Sequence, residues 1–274
     1  MEESPRKEIS LISIIVPAYN QEKTIFRDLG RIKKVLDQLR YSTELICVVD
    51  GKIDGTFEQA FRFAKKHQNV KIIGYDTNKG KGYAVRFGMA ESKGDVVAFI
   101  DSGMDLNPNG LSMLLEHFEW YDADIIVGSK RHPASKVEYP WQRRALSIGY
   151  QILVWILFGL KIRDTQVGMK FFKREVLEKV LPRLLVKHFA FDVEILAVAN
   201  FLGFKRIYEA PIDIRLNFGG TSTITNQRFF RTVLGMLLDT LAVFYRLKIL
   251  NYYSDSNKRK WRFDPELNFR VNIG

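Results

Sequence analysis

Short apolar runs alternate with polar stretches of helical spacing through the first half of the chain. Residues 11–16, 45–49, 70–75, 96–100 and 124–127 read as strands, and 21–40, 55–66, 82–92 and 109–119 as helices. The strands are apolar almost throughout, so both of their faces expect cover. Such strands, separated by helices, predict an α/β fold with a mostly parallel sheet between helical layers. Past Gly128 the rhythm changes. A basic loop leads to an apolar segment at 145–160, then a strand near Lys170 and a helix at 191–202. A short strand pair at 206–209 and 212–216 and a long amphipathic helix over 228–250 follow. The tail from Asp255 is polar and aromatic and reads as loosely attached. The organisation expected is one α/β unit over 1–222, with an apolar helix at about 142–160, and a C-terminal helix and tail over 223–274.

Three strands deliver polar residues to their C-terminal tips, in SIIVPAYNQE (13–22), ELICVVDGKIDGT (44–56) and GDVVAFIDSGMDL (94–106). Open α/β sheets bind ligands at that edge. Asp101 leaves its strand and Asp105 follows after Ser-Gly-Met, with Gly103 able to turn the chain so that both carboxylates face one point. Hard oxygen donors at that range suit Mg²⁺ or Mn²⁺ holding a diphosphate, and Asn107 offers a neutral oxygen. The competing reading is an Asp-rich turn ahead of the next helix. Asp50 can accept from a base edge or a ribose hydroxyl, or cap a helix, a task Asp54 fills more naturally. NKGKG (78–82) puts glycines and lysines at a helix start, a diphosphate cradle that lacks the P-loop spacing.

Composition narrows the partners. The chain has 274 residues, 46% of them hydrophobic, enough for a large core. A net charge of +11 fits an anionic partner or simple solubility. The basic residues are dispersed, with no zinc ligands or RNA-binding aromatic signature, so no nucleic-acid partner is expected. The four histidines lack metal-ligand spacing. The single cysteine, Cys47, excludes an internal disulfide and favours a reducing, cytoplasmic compartment. The charged N-terminus has no apolar signal-peptide core. Segment 145–160 falls short of the roughly 18 residues a span needs, and 229–250 is interrupted by Arg231, Asp239 and Arg246. A membrane would therefore be met at its surface. Flanked by Arg143, Arg144, Lys161 and Arg163, the apolar segment either lies among lipid headgroups or packs in the core or between copies of the chain. A homo-oligomer is compatible with either.

The segments VPAYNQE, VVDGKIDGT, NKGKGYAVRFGMAESKGDVVAFIDSGMDL, VGSKRH and DTQVGMKFFKREVLE stand in the order found in family-2 glycosyltransferases of the GT-A, Rossmann-like fold. Over about residues 12–222 the chain most resembles the dolichyl- and polyprenyl-phosphate sugar synthases. Three departures stand out: Val49 replaces the first Asp of the family's Asp-Asp-Gly-Ser, the Asp-x-Asp pair is stretched to Asp101 and Asp105, and the arginine expected after the Pro-Ile strand is Arg215 at unusual spacing. The resemblance implies an inverting, metal-dependent transfer of a sugar from a nucleoside diphosphate sugar to a polyprenyl phosphate. The enzyme would sit peripherally on the cytoplasmic face of a membrane. It implies that Pro17, Tyr19, Glu22 and Asp50 line the nucleoside pocket, that Lys81 lies near the phosphates, and that Asp101, Asp105 and Asn107 hold Mg²⁺ or Mn²⁺. Arg131 would meet a phosphate and Asp164 would stand near the reacting centre. Arg143, Arg144 and Arg215 would attend the acceptor. Asp192 and Glu194 are rivals for a base, or a partly buried helix start. Two other readings keep the fold: transfer to a soluble sugar or glycan, and binding of nucleotide sugars without turnover.

Overall fold

The structure is a computed structural model that describes residues 8–103, 106–137, 141–214, 227–256, 261–264 and 269–272. Its centre is a seven-stranded sheet in the order β3-β2-β1-β4-β7-β5-β8. The strands are β1 (Leu11–Ala18), β2 (Ser42–Asp50), β3 (Val70–Tyr75), β4 (Val96–Ile100), β5 (Ile125–Ser129), β7 (Met169–Lys173) and β8 (Ile207–Pro211). All neighbours pair in parallel except β7, which runs antiparallel to both β4 and β5. After β5 the chain stays at the carboxyl edge, through helix α5 (Trp141–Phe158), and so re-enters the sheet from that side.

Helices cover both faces of the sheet. In β1, Ile12, Ile14 and Val16 belong to the core beneath α1 (Ile25–Leu36), α2 (Thr56–Ala64) and α4 (Gly110–Trp120). Ile15 points the other way, into the core shared with α3 (Lys81–Glu91), α6 (Arg174–Val180) and α7 (Phe191–Phe201). This period of two explains why the strands read as continuous apolar runs. Cys47 is buried in the first of these cores, and burial pushes its thiol up to about 12.

Two expectations are corrected, and that of the final helix is refined. The stretches at 206–209 and 212–216 do not pair with each other: β8 joins the main sheet beside β5, and β9 (Asp213–Ile214) pairs with β6 (Lys136–Val137). The final helix, α8 (Gln227–Phe244), passes into a π turn at Tyr245–Ile249. The tail contains a hairpin, β10 (Trp261–Asp264) with β11 (Phe269–Asn272), that its composition did not suggest. The expected division at 222/223 lies outside the described residues.

Candidate functional site

Five of the predicted site residues, Pro17, Tyr19, Asp50, Lys81 and Asp101, line a cavity of about 460 Å³ at the carboxyl edge, while Arg131 and Asp164 do not. Pro17, Ala18 and Tyr19 line it from the end of β1, Asp50 from β2, and Asp101 to Gly103 from β4. Asn78, Gly80 and Lys81 contribute the start of α3, and His188 and Phe189 the approach to α7. The Ser102 hydroxyl donates to the Pro17 carbonyl at 2.7 Å, tying two strand tips together. A larger cleft of about 900 Å³ opens near the amino edge. Its charges include ion pairs such as Lys173 with Asp122 at 2.7 Å, so it offers less to a ligand.

Asp50 is 3% exposed, and its carboxylate is occupied by the chain itself. It accepts from the Tyr75 hydroxyl (2.9 Å), the Asn78 amide (3.0 Å) and the backbone N–H groups of Lys79 (2.7 Å) and Gly80 (3.0 Å). The 78–80 loop is thereby fixed, and two amides expected to cradle a diphosphate point at Asp50 instead. Gly80 adopts φ +98°, and a Cβ there would stand 2.5 Å from His188 Nδ1, so the loop needs glycine for backbone and space alike. Glu22 does not line the cavity; its carboxylate accepts from Gly55 N at 3.3 Å, at the start of α2.

Lys81, the first residue of α3, lies between two carboxylates. Its Nζ donates to Asp101 Oδ2 at 3.0 Å and to Asp192 Oδ2 at 3.4 Å. Burial alone would push its pKa down, but Asp101 and Asp192 outweigh that and hold it above the ordinary lysine value. Asp192 is 1% exposed, and its other oxygen accepts from Lys170, which is fully buried. Burial, only partly offset by Asp192, pushes Lys170 down. Glu194 accepts from Leu185 N (3.1 Å), Val186 N (2.9 Å) and the Tyr253 hydroxyl (2.7 Å), anchoring the chain that approaches α7. Neither Asp192 nor Glu194 lines the cavity.

Asp101 is locked from behind by the loop that precedes β7. Its N–H donates to the Gly168 carbonyl at 2.9 Å, and a Cβ at Gly168 would collide with its carboxylate. Earlier in the same loop, Asp164 is 4% exposed and accepts from Gln166 N and from Lys130 N, both at 3.2 Å. Lys130 leads on to Arg131 just past β5. One Arg131 nitrogen, Nη2, donates to Ser147 of α5 at 2.7 Å.

Asn107 is committed elsewhere: it donates to Asp213 Oδ2 (3.2 Å), and its amide oxygen accepts from Asn109 N (3.1 Å) at the start of α4. Arg144 is exposed on α5. Asp105, Arg215 and the Arg143 side chain lie outside the described residues. Among the described residues, no group of three His, Cys, Asp or Glu side chains is arranged to hold a metal.

Five buried side-chain atoms at this edge have no hydrogen-bond partner among the described residues: Gln21 Oε1, Asp101 Oδ1, Arg131 Nε and Nη1, and Gln166 Nε2. Buried polar atoms are rarely left so, because each forfeits about 1–3 kcal/mol. Their concentration here fits a site completed by a ligand with both donors and acceptors. Asp101 Oδ1, 3.0 Å from the Lys81 ammonium but without hydrogen-bond geometry, has the character of a cation ligand. Composition had not singled out Gln21, Gln166 or Lys170. A lysine inside the apolar run Met169–Lys173 was the available signal for the last.

Residues 13–181 match the family model described as glycosyl transferase family 2. A dolichyl-phosphate beta-glucosyltransferase of Drosophila melanogaster is 36% identical over 216 residues, covering 74% of this chain. The chain spans 65% of that relative's length. Among solved structures, mannosyl-3-phosphoglycerate synthase of Rubrobacter xylanophilus superposes with a TM-score of 0.67 at 15% identity, covering 87% of this chain and 75% of that one. Glucosyl-3-phosphoglycerate synthase of Mycobacterium tuberculosis, in complex with Mn²⁺, UDP and phosphoglyceric acid, gives 0.61 at 20% identity, covering 84% and 78%. At such identities these two establish the fold, of GT-A type. With its motifs in family order on that fold and the family model matched across most of the sheet, the chain belongs to glycosyl transferase family 2.

Proposed function

We propose that this chain moves glucose, with inversion, from a nucleoside diphosphate sugar to the phosphate of a dolichyl-type lipid at a membrane surface. The observation that carries the reading is Arg131: a guanidinium with two nitrogens unpartnered among the described residues, anchored to a helix whose outer face is apolar. On α5, Leu146, Ile148, Ile152, Trp155 and Ile156 are 41–65% exposed. Beside it, α8 and its π turn expose Leu234, Leu238, Leu241, Tyr245 and Ile249 at helical spacing, 47–63% each. The two helices pack through Phe158 against Phe244 and Tyr150 Oη against Thr240, 2.8 Å apart, so their outer faces form one apolar surface. Such a surface next to a phosphate-seeking arginine suits an acceptor with a charged head and a long apolar tail. No helix among the described residues is long and apolar enough to cross a membrane, which supports peripheral attachment. Free, buried Cys47 accords with the cytoplasmic face.

The residues divide the reaction between them. Pro17, Tyr19 and the Asp50-fixed loop receive the nucleoside, and Lys81 faces the diphosphate. Asp101, with Asp105, would hold Mg²⁺ or Mn²⁺, whose chemistry is to neutralise charge on the departing diphosphate. Asn107 stays with α4. Arg131 receives the acceptor phosphate, supported by the positive charge of Arg143, Arg144 and Arg215. That phosphate is already an anion near neutral pH, so no strong base is needed, and Asp164 orients the reacting groups. The mycobacterial synthase's UDP and Mn²⁺ and the fly relative's name as a dolichyl-phosphate beta-glucosyltransferase support the classes of donor, cation and acceptor in this reading.

The test is transfer itself. With a panel of nucleotide sugars, a short polyprenyl phosphate and Mn²⁺, we expect a glycolipid from UDP-glucose. Donor binding without transfer to any acceptor would favour a non-catalytic binder, and transfer to soluble sugars alone would remove the lipid. The membrane face has its own prediction. Ile152→Glu with Ile156→Glu alters two positions that are 50% and 65% exposed, so the fold should survive. Two apolar side chains are worth about 3 kcal/mol of partitioning, so binding to anionic vesicles should fall about 100-fold while nucleotide affinity stays. Unchanged vesicle binding would take this face off the membrane.

A further inference from the structure

The polar groups behind Asp101 form a network that the division of labour above leaves unused. Lys170 has no exposed surface; its ammonium donates to Asp192 Oδ1 and, at 2.6 Å, to the Val167 carbonyl. The other Asp192 oxygen is 3.4 Å from Lys81, which itself lies 3.0 Å from Asp101. Both ammonium groups stand near the buried Phe99 ring, Lys170 at 5.1 Å and Lys81 at 5.5 Å from its centre. Two lysines and two aspartates thus form a chain of formal charge zero, its far end buried and its near end in the cavity.

Electroneutrality has a consequence. A divalent cation arriving alone at the open Asp101 Oδ1 would bring two positive charges beside the Lys81 ammonium, an excess that this balanced group of four does not offset. A diphosphate arriving with the cation removes that excess and gives Lys81 a new partner. We infer that Lys170 and Asp192 are a positioning pair that holds Lys81 on Asp101 until a nucleoside diphosphate enters, which makes occupation of the site by cation and diphosphate mutually dependent. This rests on the nucleotide-sugar reading above and adds to it a rule for how the site fills.

Manganese titration followed by electron paramagnetic resonance tests it on the full chain, with and without uridine diphosphate. For the unaltered protein, the diphosphate should tighten Mn²⁺ binding at least tenfold, and by linkage Mn²⁺ should tighten the diphosphate equally. Lys170→Met leaves Asp192 with Lys81 as its one remaining ion partner among the described residues and draws that ammonium off Asp101. Mn²⁺ alone should then bind several-fold tighter, and metal-free diphosphate several-fold weaker. Asp192→Asn should do the reverse for Mn²⁺ alone. A purely structural role would weaken both ligands together, and that result would overturn the inference. So would Mn²⁺ affinity in the unaltered protein that ignores the diphosphate, a measurement that needs no variant to fold. Failure of uridine and guanosine diphosphates to bind at all would instead remove the nucleotide-sugar reading, and the inference with it.

Discussion

Asp101→Asn should reduce transfer about 10³-fold, the scale for losing a group that faces developing charge, or about 4 kcal/mol of barrier. The replacement keeps the shape of the side chain and the backbone bond from Asp101 N to the Gly168 carbonyl. Folding should therefore be nearly unchanged. What disappears is one negative charge from a balanced group of four. Lys81 is then released toward the cavity, so metal-free affinity for a nucleoside diphosphate should hold or rise. The strengthening of that affinity by Mn²⁺ should vanish. Calorimetry with and without Mn²⁺ separates the two effects, and a variant that still responds to Mn²⁺ would remove Asp101 from the cation site.

Gly168→Ala should reach a similar loss of activity by another route. The added methyl group would fall on the Asp101 carboxylate, which must leave its place. A short side chain forced from its rotamer costs about 0.5–1.5 kcal/mol, so thermal stability should drop only slightly. A reacting group displaced by about 1 Å costs on the order of 10²-fold in rate, so transfer should fall far more than stability. Activity and melting temperature measured on one preparation decide it. Near-normal activity would mean that the position of Asp101 is not critical.

The edge that carries the site was legible because its signals are local. Apolar runs ending in Asp-Gly, Asp-Ser-Gly or Pro-Ala-Tyr-Asn mark strand tips, and β1, β2 and β4 end where those residues stand. What those residues meet was not legible. Asp50 read as a partner for base or ribose, yet its carboxylate gathers the 78–80 loop, because a sequence does not report which N–H groups converge on an oxygen. The direction of β7 was hidden for a similar reason: Met-Lys-Phe-Phe-Lys has the composition of a buried strand whichever way it runs. The pairing of Lys170 with Asp192 depends on that reversal, which sets a strand lysine beneath the start of α7. The apolar helix is 18 residues long and near its expected place, but which of its residues face outward emerged only from its packing on α8.

Anomalous diffraction from crystals grown with Mn²⁺ and uridine diphosphate addresses the central claim, that one cavity at the carboxyl edge binds donor and cation together. The account predicts a manganese peak about 2.1 Å from an Asp101 oxygen, bridged to the diphosphate, with the Lys81 ammonium turned toward phosphate. A peak in the cleft near Glu175 and Glu178, or a diphosphate bound away from Asp101, would contradict it.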